Sequence, residues 1–145
     1  MALMYRKILV PLDGSDFAER ALDHILKLAP PGGGTEVILV HVLDPLLWCR
    51  DGHDFVAFKN FQFSQAERYL DEIKSRLVSR GIRVNAVILE GGVAAATIVA
   101  HAQDQGVELI VMTSHGRTGM RKLMFGSVAL EILHEAHVPV LLIRP

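Results

Sequence analysis

Apolar residues along this chain follow two alternating rhythms. Five short runs are apolar at nearly every position: Arg6–Leu12, Glu36–Leu43, Ile82–Leu89, Val107–Met112 and Val138–Ile143. Between them apolar residues recur every three or four positions, as in Phe17, Ala21, Leu22, Ile25, Leu28 and Ala29, and again in Tyr69, Leu70, Ile73, Leu77 and Val78. The unbroken runs predict strands buried on both faces, and the helical spacing predicts amphipathic helices. Turn residues punctuate the change of rhythm. Asp13-Gly14-Ser15 follows the first run, Pro30-Pro31-Gly32-Gly33-Gly34 stops the first helix, and Asp44-Pro45 closes the second run. Gly81 is placed as a helix C-cap, and Glu90-Gly91-Gly92 turns into a helix of about residues 93–105 that ends at Gly106. Ser15 or Asp16 is placed to cap the first helix, with Glu19 three positions after Asp16, the spacing of a capping box.

Residues 45–63 break the rhythm. They hold Trp48, Phe55, Phe58, Phe61 and Phe63. The stretch reads as a loop running into a helix that is clear by Ser64, with the aromatic cluster as a lid or satellite core on the sheet. After the fourth strand come a glycine-bearing loop, 113–126, and a helix from Ser127 to Ala136. The sum is βαβαβαβαβ, an α/β fold with a parallel sheet between helices and right-handed crossovers.

Length and composition narrow the function. At 145 residues the chain is expected to form one domain, 1–145, burying roughly two-thirds of its unfolded surface. Half the residues are apolar and 21% are charged, which excludes a disordered chain. A net charge of −1 gives no support to a basic nucleic-acid-binding coat, so no nucleic-acid partner is expected. Cys49 stands alone, which fits a reducing compartment. No apolar run approaches the roughly 20 residues of a membrane span. The stretch Ile8–Leu12 is too short for a secretory signal, so the cytoplasm is the expected location and no membrane partner is expected.

Ligands of open parallel sheets bind beyond the C-terminal strand ends. The most suggestive segment there is Thr113–Ser127. Gly116, Gly119 and Gly126 permit close backbone approach, Arg117, Arg121 and Lys122 add positive charge, and no acid occurs from Leu109 to Leu130. Gly126-Ser127 opens a helix, where free amides and the dipole favour an anion. A phosphate chain suits this chemistry, although glycine turns also simply join strands to helices. Neither a Walker A loop nor a dinucleotide GxGxxG is present. Ser114-His115 is not expected to act as nucleophile and base, because neighbours at a strand end point apart. His41 lies within an apolar strand and reads as a core histidine. His24, His101, His134 and His137 lack the i, i+4 pairing of a zinc site. Met112, Met120 and Met124 read as core and cleft lining.

Several of these segments together resemble the universal stress protein family. Lys7–Ser15 resembles its opening, Val37–Leu43 its second strand and Val138–Ile143 its closing strand. The family's motif Gly-x2-Gly-x9-Gly-Ser/Thr falls on Thr113, Gly116, Gly126 and Ser127, with threonine in the first place. The resemblance implies a Rossmann-like sheet in the order 3-2-1-4-5 and a bound adenine nucleotide, ATP, with or without Mg²⁺. Adenine would lie near the main chain of Val42 and against Pro11. Asp13 would sit near the ribose or phosphates, or hold Mg²⁺, its other role being a turn or cap residue. The Thr113 segment, Gly116, Gly126, Ser127 and Val128 would face the phosphates.

In that sheet order the last strand is a bare apolar edge. A homodimer through Val138–Ile143 is therefore expected. The overall expectation is a dimeric, nucleotide-binding stress-response regulator with slow or no hydrolysis. Thr113 supports an alternative, a dimeric interaction scaffold that binds no nucleotide. A transferase or phospho-accepting receiver has less support. The chain lacks a His-x-Gly-His signature, and only Asp13 stands where a receiver needs its acids.

Overall fold

The structure is a computed structural model that describes residues 5–46, 55–114 and 126–145. Five strands alternate with four helices: β1 Lys7–Pro11, α1 Ala21–Leu28, β2 Glu36–Leu43, α2 Phe55–Val78, β3 Arg83–Glu90, α3 Ala94–Asp104, β4 Leu109–Thr113, α4 Ser127–Glu135 and β5 Val140–Ile143. A 3₁₀ turn, Ala18–Arg20, precedes α1. Every strand pairing is parallel and the sheet order is β3-β2-β1-β4-β5. β1 sits at the centre, with Ile8 opposite Val37 on one side and Leu109 on the other.

The unbroken apolar runs have a simple cause. Successive side chains of a strand point to opposite faces, and here both faces are covered. Ile8, Val10, Val37, Leu39 and Val111 pack under α1 and α2, against Leu22, Ile25, Leu70, Ile73 and Leu77. Leu9, Ile38, Val40, Ile110 and Met112 pack under α3 and α4, against Ala95, Ile98, Val99 and Ile132. An edge strand needs less: β3 has no residue in the buried class, and β5 has only Ile143.

Two elements differ from the sequence reading. Neither Ser15 nor Asp16 is the N-cap of α1: a 3₁₀ turn with Phe17 as its N-cap comes first, and Ser15 Oγ accepts the Ala18 N–H at the start of that turn at 3.1 Å. The capping box does not form, since Glu19 turns instead to Arg76 at 2.7 Å. Helix α2 starts at Phe55, well before Ser64. Phe58 and Phe63 pack with Leu43, Ala66 and Ile88, while Phe55 and Phe61 are exposed, so this part of the helix has no apolar stripe to read. Trp48 lies outside the described residues.

Candidate functional site

β1 connects to β2 on one side and its other neighbour, β4, connects to β5 on the opposite side. Where neighbouring strands send their chains apart, the end of the sheet opens. A cavity of about 260 Å³ lies there, near the lower end of small-ligand pockets. Its floor is Val40 and Val42 of β2 and Met112 of β4; Ala94 and Ile98 of α3 and Ala129 of α4 form apolar walls. Polar groups enter from Asp13, Thr113 and the Gly126–Ser127 start of α4.

Seven of the eight residues expected from the sequence line this one cavity: Pro11, Asp13, Val42, Thr113, Gly126, Ser127 and Val128. The eighth, Gly116, lies outside the described residues, as do His115, Arg117, Arg121 and Lys122. The apolar walls were not singled out as ligand-facing beforehand. Their signal was available in part. Val40 is two residues before Val42 and so shares its face, and Ala94 and Ile98 lie one helical turn apart.

The turn after β1 is built from its own side chains. Leu12 continues the ladder, its N–H donating to the Val40 carbonyl at 2.8 Å. The Leu12 carbonyl accepts from His41 Nδ1 at 2.7 Å, so Nδ1 carries the proton. His41 is half-buried, satisfied by that bond, and faces the α1–α2 layer. Asp13 Oδ1 accepts both the Ser15 N–H at 2.9 Å and the Ser15 hydroxyl at 2.6 Å. Gly14 takes a φ of +88° between them, a conformation that a side chain disfavours. Asp13 thus holds an Asx-type turn with one oxygen while lining the cavity.

The far wall begins at Gly126, the N-cap of α4, in extended conformation and without a side-chain cap. The first bond of the helix runs from Leu130 N–H to the Gly126 carbonyl at 3.0 Å. The amides of Ser127, Val128 and Ala129 therefore precede the helical ladder and have no backbone partner among the described residues, as suits an anion. The Gly126 N–H itself donates to the Ser114 carbonyl at 2.7 Å, and the Ser114 N–H donates to Ile143 at 2.9 Å. Ser114 is buried and its hydroxyl has no partner among the described residues. It does not line the cavity.

Among the described lining residues Asp13 alone is titratable. The cavity is mainly apolar, with the Asp13 carboxylate, the Thr113 and Ser127 hydroxyls and the start of α4 as its polar groups. That combination suits a ring joined to an anionic chain through a hydroxyl-bearing linker. No helix among the described residues is long and apolar enough to cross a membrane.

Comparison with known proteins agrees along the length of the chain. The model of the universal stress protein family matches residues 4–144. Universal stress protein MJ0577 of Methanocaldococcus jannaschii is 33% identical over 160 aligned positions, covering 99% of this chain and 98% of the relative. The solved structure of MJ0577 superposes with a TM-score of 0.89 at 34% identity, covering 99% of this chain and 98% of that one. A universal stress protein from Archaeoglobus fulgidus, solved in complex with dAMP, has a TM-score of 0.67 at 25% identity, covering 98% of this chain and all of that one. Another, solved in complex with cAMP, shares the fold, with a TM-score of 0.71 at 17% identity and 98% of each chain covered.

Proposed function

The chain belongs to the universal stress protein family, and from that premise we propose that it binds an adenine nucleotide in the cavity at the end of β1 and β4. ATP is the nucleotide assigned, with Mg²⁺ as an accompanying ion. The protein acts in this reading as a dimeric, cytoplasmic regulator of the stress response with slow or no hydrolysis. One observation carries the reading. Residues from four separated segments, chosen for nucleotide contacts by sequence, converge on a single cavity.

Each part has a physical role. The adenine ring lies between Val40, Val42, Ile98 and Met112, where its edge meets main-chain groups at Val42. Asp13 keeps one carboxylate oxygen beyond its bonds to Ser15, suited to a sugar hydroxyl or to Mg²⁺. The leading amides of α4 and the Ser127 hydroxyl take the phosphates. Relatives solved with dAMP and cAMP support a mononucleotide core for the ligand. Slow or no hydrolysis is part of this reading because Asp13, assigned to the sugar or Mg²⁺, is the one titratable side chain among the described lining residues. The dimer is supported by the edge position of β5 and by Leu141 on it, which is exposed.

The test is a thermal melt and a calorimetric titration of nucleotide-free protein with Mg²⁺ plus ATP, ADP or AMP. Ligand at about 100 times its Kd adds roughly 2.7 kcal/mol of stability, a rise of about 5–10 °C for a domain of this size. Gly126→Val is expected to weaken ATP by more than about tenfold by covering the approach to the α4 amides. Gly126 has φ −61° and ψ 150°, which valine adopts without strain, so the variant reports on the site rather than on folding. Unchanged ATP affinity in Gly126→Val overturns the assigned phosphate site. No shift with any nucleotide moves the reading to the dimeric scaffold, with Thr113 in the cavity wall as its cause.

A further inference from the structure

Tyr69 of α2 lies across the sheet from the cavity, in the layer that covers His41. Its ring meets the His41 imidazole edge-on, with centroids 6.0 Å apart and planes at 66°. A phenylalanine would make that contact equally well. The hydroxyl is what needs an explanation, because it is buried and closes no hydrogen bond among the described residues. A buried polar atom without a partner is a cost that proteins seldom carry.

The surroundings indicate what the hydroxyl is near. Burial first, then the Glu19 and Asp13 carboxylates, hold its proton well above the ordinary tyrosine range. It is therefore a neutral group able to donate and to accept. The backbone amide of Gly14 approaches it without closing a bond of good geometry. That amide makes no other hydrogen bond among the described residues. Beyond Leu12 the turn is held by its own contacts, from Asp13 to Ser15 and from Ser15 to Ala18. The 2.7 Å pair between Arg76 and Glu19 joins α2 to the 3₁₀ turn that follows Gly14.

We infer that Tyr69 is a positioning residue for Asp13: when a ligand engages the Asp13 carboxylate, the turn settles so that the Gly14 N–H donates to the Tyr69 hydroxyl. The inference rests on the nucleotide reading of the cavity and adds a residue that never touches the ligand. It links the ligand to α2, on the opposite face of the sheet.

The experiment uses Tyr69→Phe, Asp13→Ala and the double variant, with Mg²⁺·ATP and AMP as the probes. Removing the hydroxyl leaves the melting temperature of the free protein equal or higher, since an unsatisfied group is lost. Affinity falls about three- to tenfold, the value of one ordinary hydrogen bond. In the Asp13→Ala background the same change has no further effect, which a merely structural role does not produce. By NMR, ligand slows exchange of the Gly14 amide in the wild type and not in Tyr69→Phe. Equal affinity of Tyr69→Phe and wild type, or an equal loss in the Asp13→Ala background, overturns the inference. If the wild type binds neither probe, the nucleotide reading itself has failed. The inference, which needs a ligand on Asp13, then falls with it.

Discussion

Gly91 and Gly92 are neighbours in the turn before α3, yet they should respond oppositely to a methyl group. A Cβ placed on Gly91 overlaps Thr97 Oγ1 outright and lies 3.0 Å from its Cβ and 3.1 Å from its Cγ2. Rotating Thr97 brings little relief, because its two γ atoms leave a β-branched side chain few rotamers to choose from. Thr97 is further held by its hydroxyl, which donates to the Val93 carbonyl at 2.9 Å. Gly91 is held by its own N–H, which donates to the Leu43 carbonyl at 3.0 Å. The strain must move the start of α3. Overpacking of this kind costs about 1–3 kcal/mol. At roughly 3 °C per kcal/mol for this size, Gly91→Ala should melt about 3–10 °C lower. Nothing lies within 4 Å of a Cβ on Gly92, so Gly92→Ala should be neutral or slightly stabilising. Thr97→Ala should restore most of what Gly91→Ala loses, a coupling read from a double-mutant cycle by urea unfolding. A Gly91→Ala melt within about 1 °C of the wild type, or an undiminished loss in the Thr97→Ala background, would refute the reasoning.

Two further outcomes are expected. Tyr69 keeps its proton in the folded state beyond the value near 10 at which an unfolded tyrosine releases it. Above that pH the unfolded state binds fewer protons than the folded one, so stability falls as pH rises. Tyr69→Phe should show a shallower alkaline decline in denaturant titrations between about pH 9 and 11; parallel curves would remove Tyr69 as the cause. In sedimentation at micromolar concentration the wild type should run as a dimer and Leu141→Asp as a monomer. A monomeric wild type would dismiss the β5 edge as the interface.

Much of this architecture was legible because burial on both faces leaves an unmistakable mark. Ile8-Leu9-Val10 and Leu109-Ile110-Val111 can only be central strands, and Gly81 and Gly106 mark where α2 and α3 stop. Strand order is not written in any one run; it came from the resemblance carried by Thr113, Gly116, Gly126 and Ser127. Two kinds of feature escaped. The first turns of α2 are lined by Phe58 and Phe63 but expose Phe55 and Phe61, so their helical period is blurred. Tyr69 counted only as one apolar position in a stripe, because nothing in a linear sequence shows that its hydroxyl ends beside Gly14. The polar residues of the cavity were found through motif spacing. Its apolar walls look like any other core residues until α3 and α4 are placed over the strand ends.

The bond from Gly126 to the Ser114 carbonyl closes the base of the segment spanning 115–125, and Ser114 is in turn moored to β5 at Ile143. Two backbone bonds thus tie the end of β4, the end of β5 and the start of α4 to one another. A change that shifts any one of the three is felt by the other two, so β5, which does not line the cavity, still bears on the part of it formed by Gly126 and Ser127.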